Sequence, residues 1–141
     1  MSFNSNCMIQ GTQLLAKSIS DSIHSNEYDH RNYCGRAYYT TFHSMIEYLD
    51  NEHGYRYASQ NNKSYTNMGS HERLLQFMLD HINIPSTNYH KDYKRLIIRL
   101  KTLRAQRVHA DYFLDKPMTD IDSRQAKTQL EGILNLLAST V

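Results

Sequence analysis

Proline and glycine are scarce in this chain, with 2 and 5 occurrences in 141 residues. Frequent tight turns draw on both, so the shortage argues against an all-β sandwich and for long helices. The only cysteines are Cys7 and Cys34, without paired spacing, which leaves no disulfide framework to be read. No stretch approaches the ~18 apolar residues of a membrane span. The first residues, MSFNSNCMIQG, carry neither a basic nor an apolar leader segment. A cytoplasmic protein with reduced thiols and no membrane association is the expectation. No internal repeat or long linker divides the chain, so residues 1–141 are expected to form a single domain. Nothing resembles a P-loop, a dinucleotide glycine pattern or a nucleophile elbow, and no cofactor is expected.

What is present is helical periodicity. Ile9 to about Ser25 places Ile9, Leu15, Ile19 and Ile23 on one side. From Asp29 to about Asn51, residues Gly35, Tyr38, Tyr39, Phe42, Met45, Ile46 and Leu49 follow helical spacing without a break. Tyr38 and Tyr39 are therefore expected in the core. Residues 52–70 are polar and read as a mobile loop. Ser70 can cap a third helix over 71–82, which Pro85 ends. A fourth helix starts near Tyr89 with Tyr93, Leu96, Ile97, Leu100 and Leu103 inward. Thr119 is the expected cap of a fifth, with Ala126, Leu130, Ile133, Leu134 and Leu137 buried. The expected fold is all-α: an antiparallel four-helix-type bundle with an additional short helix.

The net charge is only +2, but positive charge is concentrated locally. Lys91, Lys94, Arg95, Arg99, Lys101, Arg104 and Arg107 crowd one segment, opposed there by Asp92 alone. A stripe of this kind can guide an anionic strand. It runs into LRAQRVHADYF, residues 103–113, where the apolar face of the fourth helix turns charged. Arg104, Arg107 and Asp111 share that face, and Arg107 with Asp111 has the i, i+4 spacing of an ion pair.

Arg104 and His109 admit a sharper reading. Metal-free RNA cleavage needs proton transfer at the 2′-OH and 5′-oxygen, and a fixed cation on the phosphorane. Histidine titrates near neutrality, and arginine offers phosphate a permanent planar fork. A five-residue spacing sets the two side chains ~140° apart on an ideal helix, so a kink or a two-fold dimer is needed to aim both at one phosphate. On the second helix Arg36 and His43 share a face, with Thr40 between them. They are the candidate second border of such a cleft, or an ion-paired arginine and a partly buried histidine. Eight histidines give no ligand spacing, and no metal is expected.

Two blocks resemble the HEPN-domain family of small helical bundles. GRAYYTTFHSMIEYL, residues 35–49, is similar to its "RAYYAxFH" stretch, and LRAQRVHADYF to its "LxxxRxxADY". SHERLLQFM, residues 70–78, resembles the family's histidine-led third helix, and the resemblance covers roughly residues 8–138. It implies a homodimer formed through the motif-bearing helices and, in many members, metal-independent endoribonuclease activity from an Arg-x(4–6)-His motif. On this chain that motif is Arg104 and His109, with Arg107 a phosphate contact or the structural partner of Asp111. The resemblance further implies a toxin or anti-phage effector, with Tyr112 either positioning substrate or modified by a nucleotidyltransferase-type antitoxin. The alternative it leaves open is a non-catalytic module binding a protein partner, a nucleotide or RNA.

Overall fold

The computed structural model describes residues 9–11, 13–14, 27–82 and 90–139, and every regular element among them is helical. Helix α1 spans Glu27–His53, α2 Tyr55–Asn61, α3 Ser70–Ile82, α4 His90–Tyr112 and α5 Asp120–Ser139. The first expected helix lies almost wholly outside the described residues. No described helix is long and apolar enough to cross a membrane.

Helix α1 packs on both α4 and α5, which also pack on each other, and α3 lies against α4. Directions follow from pairs at the ends. Arg31 in the first turns of α1 bonds the carbonyls at the end of α4, whereas His53 at the end of α1 meets Tyr93 near the start of α4. His30 Nδ1 lies 2.8 Å from Ser123 Oγ, which joins the starts of α1 and α5. Helix α4 therefore runs antiparallel to α1 and α5. Their shared interior holds Tyr33, Met45, Leu49, Leu74, Met78, Tyr93, Leu96, Leu100, Leu103 and Ile133, all essentially sealed from solvent. This is an all-α bundle.

The connection over residues 52–70 is a correction to the expected mobile loop. Gly54 turns the chain in the left-handed region at φ 65°, and α2 begins directly after it. Glycine accepts that backbone without the Cβ penalty other residues meet. A 3-10 turn, Lys63–Tyr65, follows. Tyr55 and Tyr65 are buried, with Tyr55 edge-on to Phe77 at 5.0 Å between ring centroids. The Tyr65 hydroxyl donates to Asp80. Two aromatic anchors order a stretch whose average polarity conceals them.

The start of α5 is built locally. The Thr119 N–H donates to Asp122 Oδ2 at 2.9 Å, the backward half of a capping box. Ser70 does not cap α3 from outside; it already belongs to the helix, and Gly69 supplies the carbonyl that accepts from the Arg73 N–H.

Candidate functional site

The buried stripe of α4 passes Leu100 and Leu103 and reaches Arg107 and Ala110. Arg107 is fixed by neighbours from two helices. Its Nη2 donates to the Tyr39 hydroxyl at 2.6 Å, and its guanidinium carbon sits 5.7, 5.1 and 5.7 Å from the ring centres of Tyr38, Tyr39 and Tyr112. Its Nε is 3.0 Å from Asp111 Oδ2, an ion pair not aligned as a hydrogen bond. Guanidinium faces on aromatic rings and a carboxylate at i+4 are a strongly favourable setting for arginine. Arg107 is a clamp between α1 and α4.

Tyr39 is not the core residue its spacing suggested. Tyr38 is buried, but Tyr39 is 40% exposed and stands at the edge of an open groove of about 480 Å³. Tyr28, Asn32, Gly35 and Arg36 from α1 line this groove opposite Ala110 and Asp111 of α4. Arg36 is exposed and forms no ion pair among the described residues. His43, two turns further along α1, does not border the groove. Burial, then the charge of Arg56, pushes its imidazole below the ordinary range.

Sequence reading missed Arg31. Its guanidinium, 13% exposed, donates to the carbonyls of His109 at 3.2 Å and Ala110 at 2.9 Å, and reaches those of Phe113, Leu114 and Lys116. The last carbonyls of a helix have no partner within it and carry the negative end of its dipole. Arg31 supplies both donors and charge there. Glu27 holds Arg31 from one turn back and accepts from the Met118 N–H at 3.1 Å, so the pair ties residues 113–118 to α1. The i, i+4 spacing of Glu27 and Arg31 was a visible signal, but the carbonyls it serves lie about 80 residues away.

Arg104 and His109 diverge within one chain. Helix α4 is unbroken from 90 to 112, so their five-residue spacing leaves them ~140° apart. Arg104 is exposed, with no ion pair among the described residues. His109 is half-buried; its ring meets Phe113 edge-on at 6.5 Å, and its Nε2 is enclosed with no hydrogen-bond partner among the described residues. Tyr112 is 68% exposed, and Phe113 and Leu114 beside it are exposed as well.

A second histidine stands closer to the influence of Arg104. His71 at the start of α3 is buried, and its Nδ1 lies 2.7 Å from the Tyr38 hydroxyl. Burial, with the positive charges of Arg104 and Lys101, takes its pKa down to about 4. It is a neutral core histidine.

No family model matches this chain, and neither the curated proteins nor the solved structures give a match.

The basic stripe survives only in part. Lys94, Arg95 and Lys101 are exposed, whereas Arg99 turns onto α5, donating to Gln129 Oε1 at 3.0 Å over the bare backbone of Gly132. Arg104, further along the stripe, is exposed as well, and the side chain of Lys91 lies outside what the structure describes.

Proposed function

We propose that this protein is a HEPN-type, RNA-acting helical domain. The supporting observation is the groove between α1 and α4, where the exposed Tyr28 and Tyr39 stand beside Arg36, which forms no ion pair among the described residues. Aromatic faces that stack bases and cations that pair phosphates are how single strands are held. The sequence resemblance to HEPN proteins points to the same end of α4.

In its sharper form the reading is a metal-independent endoribonuclease, serving as a toxin or anti-phage effector. Two copies meet through their α4 ends, covering the exposed Tyr112, Phe113 and Leu114 of each. One His109 takes the 2′-OH proton as O2′ attacks phosphorus. The other, protonated, gives a proton to the departing 5′-oxygen, and Arg104 holds the non-bridging oxygens. A nucleotidyltransferase-type antitoxin would reach Tyr112 in the separate copy, before the dimer covers it. A second reading, a non-catalytic module that binds RNA, a nucleotide or a protein, is favoured by the enclosed Nε2 of His109.

The test is incubation of single-stranded RNA in EDTA with wild type and with Arg104→Ala/His109→Ala. Wild type is expected to leave 2′,3′-cyclic phosphate ends and the double variant to leave RNA intact. Equal cutting by both, or none by wild type, removes the nuclease reading. RNA retained without cutting supports the second reading.

A further inference from the structure

The groove has a floor, a wall and a rim of different chemistry. Gly35 lies in its floor next to Asp111, where a Cβ would stand 3.9 Å from Oδ1, an ordinary contact. Arg107 pairs with Oδ2 and leaves Oδ1 without a partner among the described residues. Since Arg107 is itself held by the Tyr39 hydroxyl, the carboxylate is steered rather than free to turn. Tyr28, 73% exposed, forms a flat wall, and Arg36 stands at the rim. At about 480 Å³ the groove is in the size range of a small-molecule site.

A carboxylate only accepts hydrogen bonds, and each oxygen can accept more than one. Oδ2 can thus hold Arg107 and still take a ligand donor. Guanine is the one RNA base with two adjacent donors on its pairing edge, the N1–H and the 2-amino group. Adenine and cytosine set their amino group beside a ring nitrogen lone pair, and the uracil N–H lies between two carbonyls. Those lone pairs would face the carboxylate and be repelled.

We propose that the groove is a single-base pocket for guanine, with Asp111 accepting from N1–H and the 2-amino group, Tyr28 stacking on the base, and Arg36 pairing with the attached phosphate. Single-stranded bases are read in this manner, by stacking and by hydrogen bonds to their pairing edge. The pocket rests on the RNA-acting reading for the source of its base only, since GMP and a guanine within a strand present the same chemistry.

The experiment titrates the full chain with GMP, AMP and guanosine by calorimetry. It also titrates a uridine oligoribonucleotide with and without one central guanosine. GMP is expected to bind at least tenfold tighter than AMP. Arg36→Ala should weaken GMP at least threefold and leave guanosine unchanged, and Asp111→Asn should bring the preference for guanine below twofold. Because Asp111 also holds Arg107, the safer variant is Tyr28→Ala, a surface change expected to weaken GMP at least fivefold with an unaltered melting curve. Equal GMP and AMP affinities, no GMP binding at millimolar concentration, or full GMP affinity in both Tyr28→Ala and Arg36→Ala overturns the pocket. The two proposals fail separately. GMP bound but not displaced by the guanosine-bearing strand keeps the pocket and removes the RNA reading. A strand bound regardless of its guanosine, with no GMP binding, does the reverse.

Discussion

The hydroxyl of Tyr38 lies 2.7 Å from Nδ1 of His71, and both side chains are buried between α1 and α3. The pair makes stability depend on pH. Burial and the nearby cations hold the His71 pKa at about 4, below the ordinary 6.5. Above pH 6.5 the folded and unfolded chains both carry a neutral ring, and its contribution is complete. Between 6.5 and 4 the unfolded chain takes up a proton that the folded chain refuses, so stability falls as pH falls. Discounted for screening by solvent, this amounts to about 1–2 kcal/mol, or ~5 °C in Tm. Thermal melts at pH 7 and 4.5 should show that drop in wild type and less of it in His71→Gln. Parallel pH profiles for the two proteins would sink the assignment.

Arg31→Ala removes a guanidinium that serves the last carbonyls of α4 and the segment after it. The loss expected is about 2–4 kcal/mol, since charged hydrogen bonds in a shielded place disappear and carbonyls are left open. Arg31→Lys should recover only part, because an ammonium cannot span the same set as a planar fork. Denaturant titration gives the stability, and hydrogen exchange should speed up locally around residues 110–118. Unchanged exchange there would contradict the capping role.

Arg104 and Arg107 are three residues apart and should separate cleanly. Arg107 contacts three tyrosines and Asp111, so Arg107→Ala is expected to cost about 1–3 kcal/mol of stability. Arg104 is exposed, and Arg104→Ala should stay within about 0.5 kcal/mol of wild type. Any loss of RNA binding by Arg104→Ala is then a loss of contact, whereas that of Arg107→Ala includes the clamp. Chemical denaturation of both variants decides; similar destabilisation would show that Arg104 also supports the fold.

Gly132 sits within helix α5 because Arg99 lies on it. A Cβ at this position would stand 2.5 Å from the guanidinium carbon. Gly132→Ala therefore gains about 1 kcal/mol of helix propensity and loses a similar amount by pushing Arg99 off Gln129. The single variant is expected to be near neutral. In an Arg99→Ala background the same substitution should stabilise by about 1 kcal/mol. A double-mutant cycle by urea unfolding measures this, and additive effects would refute the coupling.

Much of the architecture was legible because amphipathic helices announce themselves. The spacing of Tyr93, Leu96, Ile97, Leu100 and Leu103 located the buried face of α4, and scarce glycine and proline excluded a turn-rich fold. Thr119 was readable as a cap because capping is a local event among neighbouring residues. The 52–70 connection was not readable, since Tyr55 and Tyr65 are anchored by α3 rather than by anything near them in sequence. Tyr39 was misplaced for a related reason. It shares the periodicity of Tyr38, but the edge of the α1–α4 contact runs between the two.

By itself, then, the sequence determined the long helices α1, α3, α4 and α5, most of their inward faces and the pairing of Arg107 with Asp111, because periodicity and i, i+4 proximity are properties of a single helix. Only the tertiary structure decided what those residues face. It seated Arg31 on the end of α4, turned Arg99 away from the basic stripe, and enclosed one nitrogen of His109. It also opened a groove at Gly35 beside a carboxylate that Arg107 holds in place. Each depends on how two helices cross, which is set by packing of the whole interior.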